Sequence, residues 1–317
     1  MAAAIRSLSL SGRLTLDMHS LNNEGGEGNQ IQTRMVHIVD GQGELAVVNA
    51  ISGDMLKHIQ AEHLWTIATA SEGALPLCAG CKVFSANRVN VDRDFINQLG
   101  ASKDNAEITT KLLQHCTLDD TEGILITEGK RSMPRKSTVE FGWMVGLPEK
   151  TRTESYFHVK YDLAQRGAGA GDETGANTGQ NIFYRPASSG VYAVVAHVEL
   201  HRVGYNDVSR SYALSDQERR DRQKALIQSL LYTFLRTAGA HRNTQHPHVL
   251  NFEGVVTVSR AAAPAPTASP LAANYVEQMT ETAASLNRMV GDGAIDVSRF
   301  ESSAGFADQL ATIVTAI

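Results

Sequence analysis

Residues 190–204 restrict the fold most, because a clear strand pattern there leads almost directly into a clear helix. Apolar and polar side chains alternate along the segment, and the polar face carries His197, Glu199 and His201. Ser215 and Glu218 then stand at the spacing of a capping box, apolar residues follow at helical intervals, and Gly239 ends the pattern. A long strand followed by a long helix favours an α+β fold.

The other patterns extend this reading along the chain. Strands are predicted over 8–16, 35–48 (a hairpin turning at Asp40-Gly41), 123–127, 139–147, 156–163 and 249–259. Helices are predicted over 53–67, 271–290 and 304–317. Without insertions, the order strand, helix, strand, strand, helix, strand is typical of a ferredoxin-like or RRM-like core. Such a core packs helices on one sheet face and leaves the other open, as RRMs do for RNA.

Four segments lack a regular pattern. Residues 70–121 show only short mixed patterns and are predicted to be an irregular insertion. Asn, Gly and Glu in 18–30 and the glycines of 166–181 predict exposed, mobile loops. The sequence AAAPAPTASP at 261–270 predicts an extended linker before an acidic helical tail, 271–317.

Composition indicates a soluble globular protein. Of 317 residues, 42% are hydrophobic and 20% charged. No apolar run reaches the roughly 18 residues of a membrane helix, the N-terminal pattern is unlike a signal peptide, and three cysteines do not suggest a disulfide framework. We therefore expect a cytoplasmic protein without a membrane partner.

The charge permits a polyanionic partner although the formal net charge is −5. Residues 127–166 hold eight Lys and Arg against five Asp and Glu, a net charge of +3. Residues 261–317 hold two against six, a net charge of −4. Because potentials decay over about 8 Å at physiological salt, a basic surface can coexist with an acidic total.

No catalytic arrangement is evident. His197 and His201 would share a strand face but lie about 13 Å apart by strand rise, too far for one metal ion. His246 and His248 occupy a turn without a nearby acidic partner, and GxSxG, HExxH and Walker sequences are lacking. We therefore predict no catalytic residue and no cofactor.

The CxxC pair Cys78 and Cys81 leaves one alternative open. A zinc site needs four ligands, and the nearest candidates, His115 and Cys116, are adjacent and would point oppositely in a strand. Reduced, unliganded cysteines are the favoured interpretation, so no metal ligand is predicted, with a structural zinc site as the alternative.

Two stretches could bind a nucleic acid. Ser52 and Gly53 begin a helix whose free amides and dipole suit a phosphate, with Lys57 and His58 one turn further on. An ordinary capped helix is the alternative. Aromatic residues and an arginine suit base stacking and phosphate contact just after the glycine-rich loop, at Asn181, Phe183, Tyr184 and Arg185. The alternative there is a strand entrance with a core Phe.

Four stretches together resemble the DevR-like backbone (RAMP) subunits of type I CRISPR surveillance (Cascade) complexes. They are SLSGRLTLDMHSLNNEGGEGNQIQTR, NAISGDMLKH, GQNIFYRPASSGVYA and AGAHRNTQHP, and the resemblance spans about 5–260. It implies a right-hand architecture with an RRM-like palm, a fingers insertion and a thumb hairpin. On this chain the palm would comprise 1–68, 123–147 and 187–260, the fingers 69–122 and the thumb 148–186.

The resemblance also implies which residues meet a guide RNA (crRNA). They lie in the first loop, at the helix start, at the thumb base and in the late basic stretch: Asn22, Asn23, Gln30, Arg34, Ser52, Gly53, Lys57, His58, Asn181, Tyr184, Arg185 and Arg242. His241 and Asn243 depart from the family pattern around Arg242.

The implied function is non-enzymatic. Such subunits polymerise along the guide RNA and present it for pairing with target DNA, in antiviral defence. Their partners are further copies of the same chain, a large subunit, a repeat-handle-binding subunit, a processing endonuclease and a recruited helicase-nuclease or other effector. The alternative is metal-dependent cleavage of target RNA, as in related type III subunits, through Asp17, Glu24 or Glu27.

Overall fold

The computed structural model describes residues 4–28, 30–70, 74–100, 102–161, 180–239 and 243–317, with backbone alone at 23, 24, 27, 160, 161 and 180–182. Their strands are β1 (Ser7–His19), β2 (Asn23–Glu27), β3 (Gln30–Thr33), β4 (Met35–Val39), β5 (Leu45–Ile51), β6 (Ile124–Ile126), β7 (Met133–Arg135), β8 (Val139–Phe141), β9 (Met144–Tyr161), β10 (Gln180–Val198), β11 (Tyr205–Asn206), β12 (Ser211–Tyr212), β13 (His248–Ser259) and β14 (Ile295–Phe300). Their α-helices are α1 (Gly53–Thr69), α2 (Ala79–Lys82), α3 (Arg93–Leu99), α4 (Asn105–His115), α5 (Thr117–Glu122), α6 (Asp216–Leu235), α7 (Tyr275–Val290) and α8 (Ser303–Ala316).

A large antiparallel sheet runs in the order β14-β13-β1-β10-β9-β5-β4. β8 pairs with the end of β10, and the short β2–β3 hairpin joins through a parallel contact of β3 with β10. β9 and β10 pair from Tyr161 and Gln180 back into the sheet, which makes a long two-stranded arm. The fold is therefore a mixed α/β structure built on one sheet, as the sequence predicts in outline.

Helices α1, α6 and α8 cover one face of this sheet. The buried leucines of β1 (Leu8, Leu10, Leu14, Leu16) belong to the same apolar cluster as Leu56, Leu230 and other core residues of α1 and α6. Phe234, Phe252, Phe300 and Phe306 join α6, β13, β14 and α8, with neighbouring ring centroids 4.9–6.0 Å apart. Among the helices in the described ranges, none combines the length and hydropathy needed to span a bilayer.

Residues 261–272, which we call the strap, cross the other face over β1 and β13. Ser9 Oγ donates to the Ala265 carbonyl at 2.9 Å, Thr257 Oγ1 to Pro266 at 2.8 Å, and Arg13 Nε to Pro270 at 3.0 Å. Ser7, Ser9 and Ser11, the polar face of β1, are consequently buried. The prediction of an open sheet face is therefore wrong at these strands, because the Ala/Pro segment covers them.

The predicted linker and tail are likewise integrated into the domain. β14 extends the sheet beside β13, and α7 packs on this edge through Tyr275 and Met279 against Val255. The two predicted C-terminal helices are confirmed as α7 and α8. Composition suggested a linker because it does not reveal that serine and threonine hydroxyls of two strands satisfy the strap carbonyls.

Two segments predicted to be irregular are regular in the structure. The insertion 70–121 contains α2, α3, α4 and most of α5, with a 3-10 turn at Arg88–Val91. Asp92 and Asp104 cap α3 and α4 through their side chains. These helices were not predicted, because their amphipathic patterns are short. The first loop contains β2 and β3. Of the predicted glycine-rich loop, 166–181, all but the last two residues lie outside the described residues.

Asp120 joins the insertion to the core. Its buried carboxylate accepts from Arg135 Nη2 at 2.8 Å and from Arg222 Nη1 at 3.0 Å, and it also accepts from the Gly204 amide. Both arginine side chains are almost fully buried. Asp120 thus pairs with two buried cations, from β7 and α6, and Arg135 has a second partner in the half-exposed Asp207, at 3.0 Å.

We expect Asp120→Asn to lower the free energy of unfolding by about 3–5 kcal/mol, because it removes the carboxylate that the buried Arg222 pairs with and leaves Arg135 with Asp207 alone. The matched control is Asp296→Asn, which removes the half-exposed ion pair with Arg260 and should cost less than about 1 kcal/mol. Urea denaturation of both variants measures the difference. Equal losses would contradict the role of Asp120.

His19 is buried at the end of β1, against Tyr192. The two rings meet edge to face with centroids 5.0 Å apart, and Tyr192 donates from its hydroxyl to Asn49 Oδ1 at 2.8 Å. Burial lowers the pKa of His19 from 6.5 to about 4. Between these values the unfolded chain binds a proton that the folded chain does not, so acidification favours unfolding.

The stability difference between His19→Gln and the wild type should therefore depend on pH. As the pH falls from 7 to 5, the wild type should lose about 2 kcal/mol of unfolding free energy through His19, and the variant, whose side chain does not titrate, should not. Urea unfolding at both pH values measures this. A difference between the two proteins that stays constant with pH would contradict it.

Candidate functional site

The start of α1 is held by two side chains from the predicted site. Ser52 accepts from the Met55 amide at 3.2 Å and caps the helix, as predicted. Asn22 is buried, and its Oδ1 accepts from the Ser52 amide at 3.0 Å. Asn22 therefore positions the helix start from within the fold, a role the sequence did not indicate.

Gly53 is required at the first position of α1 by a close approach. A Cβ there would lie 2.6 Å from the Phe141 carbonyl oxygen and 3.4 Å from that of Gly142. The helix start therefore rests directly on the connection between β8 and β9. The first-turn amides have no intrahelical acceptor, so they suit an anion, although the exposed Asp54 in the same turn opposes one.

Arg34 lies against Trp143 beside this helix start. Its guanidinium carbon is 5.1 Å from the indole centroid, and Trp143 is 45% exposed. Trp143 follows Gly142, whose carbonyl faces Gly53, so the cation and an exposed aromatic surface adjoin the helix start. Trp143 was predicted only as part of a continuous strand over 139–147, whereas in the structure it lies in the break between β8 and β9.

Lys57 and His58 line a cavity of about 270 Å³ where α1 meets the insertion. Arg88, Phe84 and Cys81 form its opposite wall. Burial lowers the pKa of Lys57, with opposing contributions from the surrounding carboxylates Glu122, Glu140 and Asp54. Lys57 is therefore a half-buried cation in a mixed-charge setting, whereas the exposed His58 ring packs 5.6 Å from Phe84.

A second group of predicted residues lies at the base of the β9–β10 arm. Gln30 of β3 is exposed and stands opposite Tyr184 of β10 in the parallel pairing. Tyr184 is 41% exposed and meets Phe157 edge to face at 5.8 Å, and Phe157 is 56% exposed. The structure thus adds Phe157, which the sequence analysis assigned only to a strand.

Arg185 is held in place by neighbours. Its guanidinium lies over the Phe183 ring at 4.7 Å, and Nη1 donates to Thr244 Oγ1 at 3.2 Å. Asn23 and Asn181 are placed by backbone alone, in β2 and β10, and Arg242 lies outside the described residues. Thr244 and Arg185 show that the late stretch 243–247 runs beside the arm.

β3 connects the two groups. It runs from Gln30, opposite Tyr184, to Thr33, and Arg34 follows at once; four residues of extended chain span about 13 Å. Thr33 donates to the Asn22 carbonyl and receives from Asn49 Nδ2, which fixes this end of β3 on the α1 start. The half-buried Arg34, the amides of the α1 start and the exposed rings of Trp143, Tyr184 and Phe157 therefore follow one strip of surface, which we call the β3 track.

Two histidines at the end of β10 share one carboxylate. The chain leaves β10 at Val198 and enters a 3-10 turn at Leu200–Arg202, so His197 and His201 both reach Glu199, at 2.9 and 3.0 Å. The expected 13 Å strand separation is therefore wrong. Ser9 Oγ also contacts His197 Nδ1 at 2.6 Å, which ties this group to the covered face.

Asp17 is a candidate for the alternative function, metal-dependent RNA cleavage. It lies near the end of β1, opposite His248 of β13, and Met18 follows it with a positive φ of 54°. The side chains of Glu24 and Glu27 lie outside the described set. Of the three carboxylates that the cleavage alternative requires as candidates, only Asp17 has a described side chain.

We expect Gly53→Ala to destabilise the protein by about 1–3 kcal/mol, because the added Cβ overlaps the Phe141 carbonyl and displaces the α1 start. The matched control is Gly305→Ala in the first turn of α8, where a Cβ meets its nearest neighbour at 3.5 Å. It should be neutral or stabilising by up to about 1 kcal/mol. Chemical denaturation compares them; a neutral Gly53→Ala would contradict the close approach.

Comparison with known families gives one extensive match. The family model described as "CRISPR-associated negative auto-regulator DevR/Csa2" matches residues 10–280. A Methanocaldococcus jannaschii protein described as "CRISPR-associated protein Cas7/Cst2/DevR" is 25% identical over 325 residues, covering 97% of this chain and 98% of that protein.

Of two solved structures, one shows a similar fold. A chain of a structure titled "CRISPR RNA-guided surveillance complex, pre-nicking" aligns with a TM-score of 0.52 and 15% identity, over 98% of this chain and 99% of that chain. A chain of a second, titled "CRISPR RNA-guided surveillance complex", aligns with a TM-score of 0.48 and 12% identity, over 96% and 99%. The first likeness extends over the whole sheet and its helices.

Proposed function

This chain belongs to the DevR/Csa2 family of CRISPR-associated proteins, and from that membership we propose that it is a guide-RNA-binding backbone subunit of a surveillance complex. Copies of the chain would line up along the guide RNA and hold it for pairing with target DNA. The β3 track is the observation that carries this proposal, because it combines exposed aromatic rings, a cation and backbone amides along one strip.

The topology supports an RRM-like palm within this architecture. β13, β1, β10 and β8 are neighbours in that order, α1 follows β1, and α6 follows β10. This is the order of a split βαβ core with two helices on one face. We propose that the β9–β10 arm is the thumb and the helical insertion the fingers, with the boundaries expected from the sequence.

The proposed binding mode requires few charges. In RNA-guided recognition base pairing reads the sequence, so the protein needs contacts with backbone and shape only. Arg34 and the α1 amides would meet phosphates, while Trp143, Tyr184 and Phe157 would stack on bases or sugars. A net charge of −5 is compatible with this mode because the contacts are local.

Assembly of copies is supported by the free edge of the sheet. β4 is the last strand, and its hairpin with β5 exposes Met35, Val39, Leu45 and Val47 by 47–77%. Edge strands with exposed apolar side chains are typical of surfaces that another chain covers. We propose that a neighbouring copy covers this hairpin, and that the other subunits of the complex bind at the ends of the assembly.

We further propose that the subunit does not cleave RNA, and that a recruited effector acts on target DNA. The test is to incubate the assembled complex with complementary RNA and magnesium. Intact RNA is the expected result. Cuts at regular spacing would overturn this part of the proposal and favour the first-loop carboxylates.

Removing Arg34 of the β3 track, or Lys57 of the adjoining cavity, should weaken guide RNA binding almost uniformly across sequences. We expect Arg34→Gln and Lys57→Gln each to lower the salt slope of binding by about 0.7–1, because one phosphate contact is lost. Glutamine retains much of each side-chain stem, which matters for the half-buried Lys57. Filter binding or anisotropy over a series of salt concentrations gives the slope.

The matched control is Arg288→Gln. Arg288 is an exposed cation of α7 that donates to Ser285 of the same helix, so its removal should leave the slope unchanged. Arg34→Lys should keep the slope but bind more weakly, since the ammonium stacks less well on Trp143. Equal slopes for Arg34→Gln, Lys57→Gln and Arg288→Gln would contradict the proposed surface.

A further inference from the structure

Three cysteines and one carboxylate meet in the interior of the insertion. One ligand atom from each of Cys78, Cys81, Cys116 and Asp119 lies within 4.8 Å of all the others, and all four residues are buried. The three cysteines are free thiols. Cys78 and Cys81 lie at α2, whereas Cys116 and Asp119 lie at α5, so the fold brings these two pairs together.

Local structure aims each group inward. Cys78 caps α2, and its Sγ accepts from the Cys81 amide at 3.3 Å, so the CxxC turn presents both sulfurs on one side. Cys116 is the residue between α4 and α5, and Asp119 lies one turn further on. Cys116 belongs to no strand, but its backbone is extended, with φ −145° and ψ 124°.

His115 does not compete for this position. Its Nε2 pairs with Asp92 at 2.8 Å, and its ring stacks on Phe95 with centroids 4.6 Å apart. The adjacent Cys116 points into the cluster instead. The structure thus distinguishes between two neighbouring candidates that the sequence left equivalent.

We propose that Cys78, Cys81, Cys116 and Asp119 bind one structural zinc ion. Zinc takes thiolate and carboxylate ligands in a tetrahedron with Zn–S near 2.3 Å, which sets neighbouring ligand atoms about 3.5–3.8 Å apart. The four ligand atoms lie within 4.8 Å of one another, so the widest separation would have to shorten by about 1 Å when the ion binds. Four protein ligands in a buried position leave no open site for substrate, so the role is structural.

Asp119 gives the independent evidence that a cation belongs here. The residue has no exposed surface, and among the described residues its Oδ1 has no hydrogen-bond partner. Its other oxygen, Oδ2, accepts a long hydrogen bond from Cys81 Sγ, at 4.0 Å. A buried carboxylate oxygen without a donor is costly, and a metal ion would satisfy Oδ1.

The zinc ion would fix one wall of the Lys57 cavity. Cys81 lines that cavity, and a Cβ on the neighbouring Gly80 would overlap the Arg88 carbonyl, so α2 and the 3-10 turn are in tight contact. Arg88 in turn donates from Nη1 to the Gly123 carbonyl at 2.7 Å. Binding would release the thiol protons to solvent and hold α2 against α5.

Metal analysis of the full-length wild-type protein, purified without chelators, tests the proposal directly. We expect about one zinc ion per chain, and cobalt replacement should give intense visible bands typical of tetrahedral coordination, with thiolate charge-transfer bands. A protein without metal that does not take up Zn²⁺ or Co²⁺ would overturn it. Neither measurement requires a variant to fold.

Variants then identify the ligands. Cys81→Ser and Asp119→Asn should each weaken cobalt binding at least tenfold, and Asp119→Cys should retain the metal and strengthen the charge-transfer bands by about one third. His115→Gln is the matched control and should keep the wild-type spectrum. Loss of the metal in His115→Gln alone, with Cys81→Ser unaffected, would overturn the ligand set.

Guide RNA binding separates this inference from the proposed function. If the metal-loaded protein fails to bind RNA, the zinc site stands and the function fails. If the protein binds RNA but holds no metal, the function stands and the zinc site fails.

Discussion

The hydrogen bonds that hold the strap across β1 and β13 determine which surface of this protein is available to a partner. Ser9, Arg13 and Thr257 satisfy carbonyls of a segment without secondary structure of its own, and this covers the sheet face opposite the helices. The exposed polar and aromatic groups are consequently found elsewhere, at the α1 start and along β3. A strip beside a sheet whose two faces are covered at β1 and β13 suits the proposed ligand, a guide RNA whose bases must stay free for pairing.

Most strands and long helices were predictable because their signals are local. The alternation in β10 and the capping box of α6 depend on residues a few positions apart, and both are confirmed. The strap was not predictable, because its place depends on contacts with β1, some 250 residues earlier in the chain. β14 was not predictable, because its pairing with β13 is seen only in the fold. The insertion helices were missed because they are short and their caps are aspartates within a weak pattern.

The site could be predicted in part. Ser52, Gly53 and Arg34 were identified from a helix-start pattern and a family resemblance, and the structure brings them together. Trp143 and Phe157 could not be assigned, because a sequence does not show which aromatic side chains of a strand remain exposed. The same limit applied to the cysteines, since only the fold reveals that Cys116 and Asp119 face the CxxC turn.

Purification of the chain from cells that also express its guide RNA tests whether copies of the chain assemble along that RNA. We expect several copies to co-purify with one discrete RNA carrying repeat-derived ends, and added salt to release this RNA. A lone monomer that binds neither single-stranded RNA nor other copies of itself would contradict it.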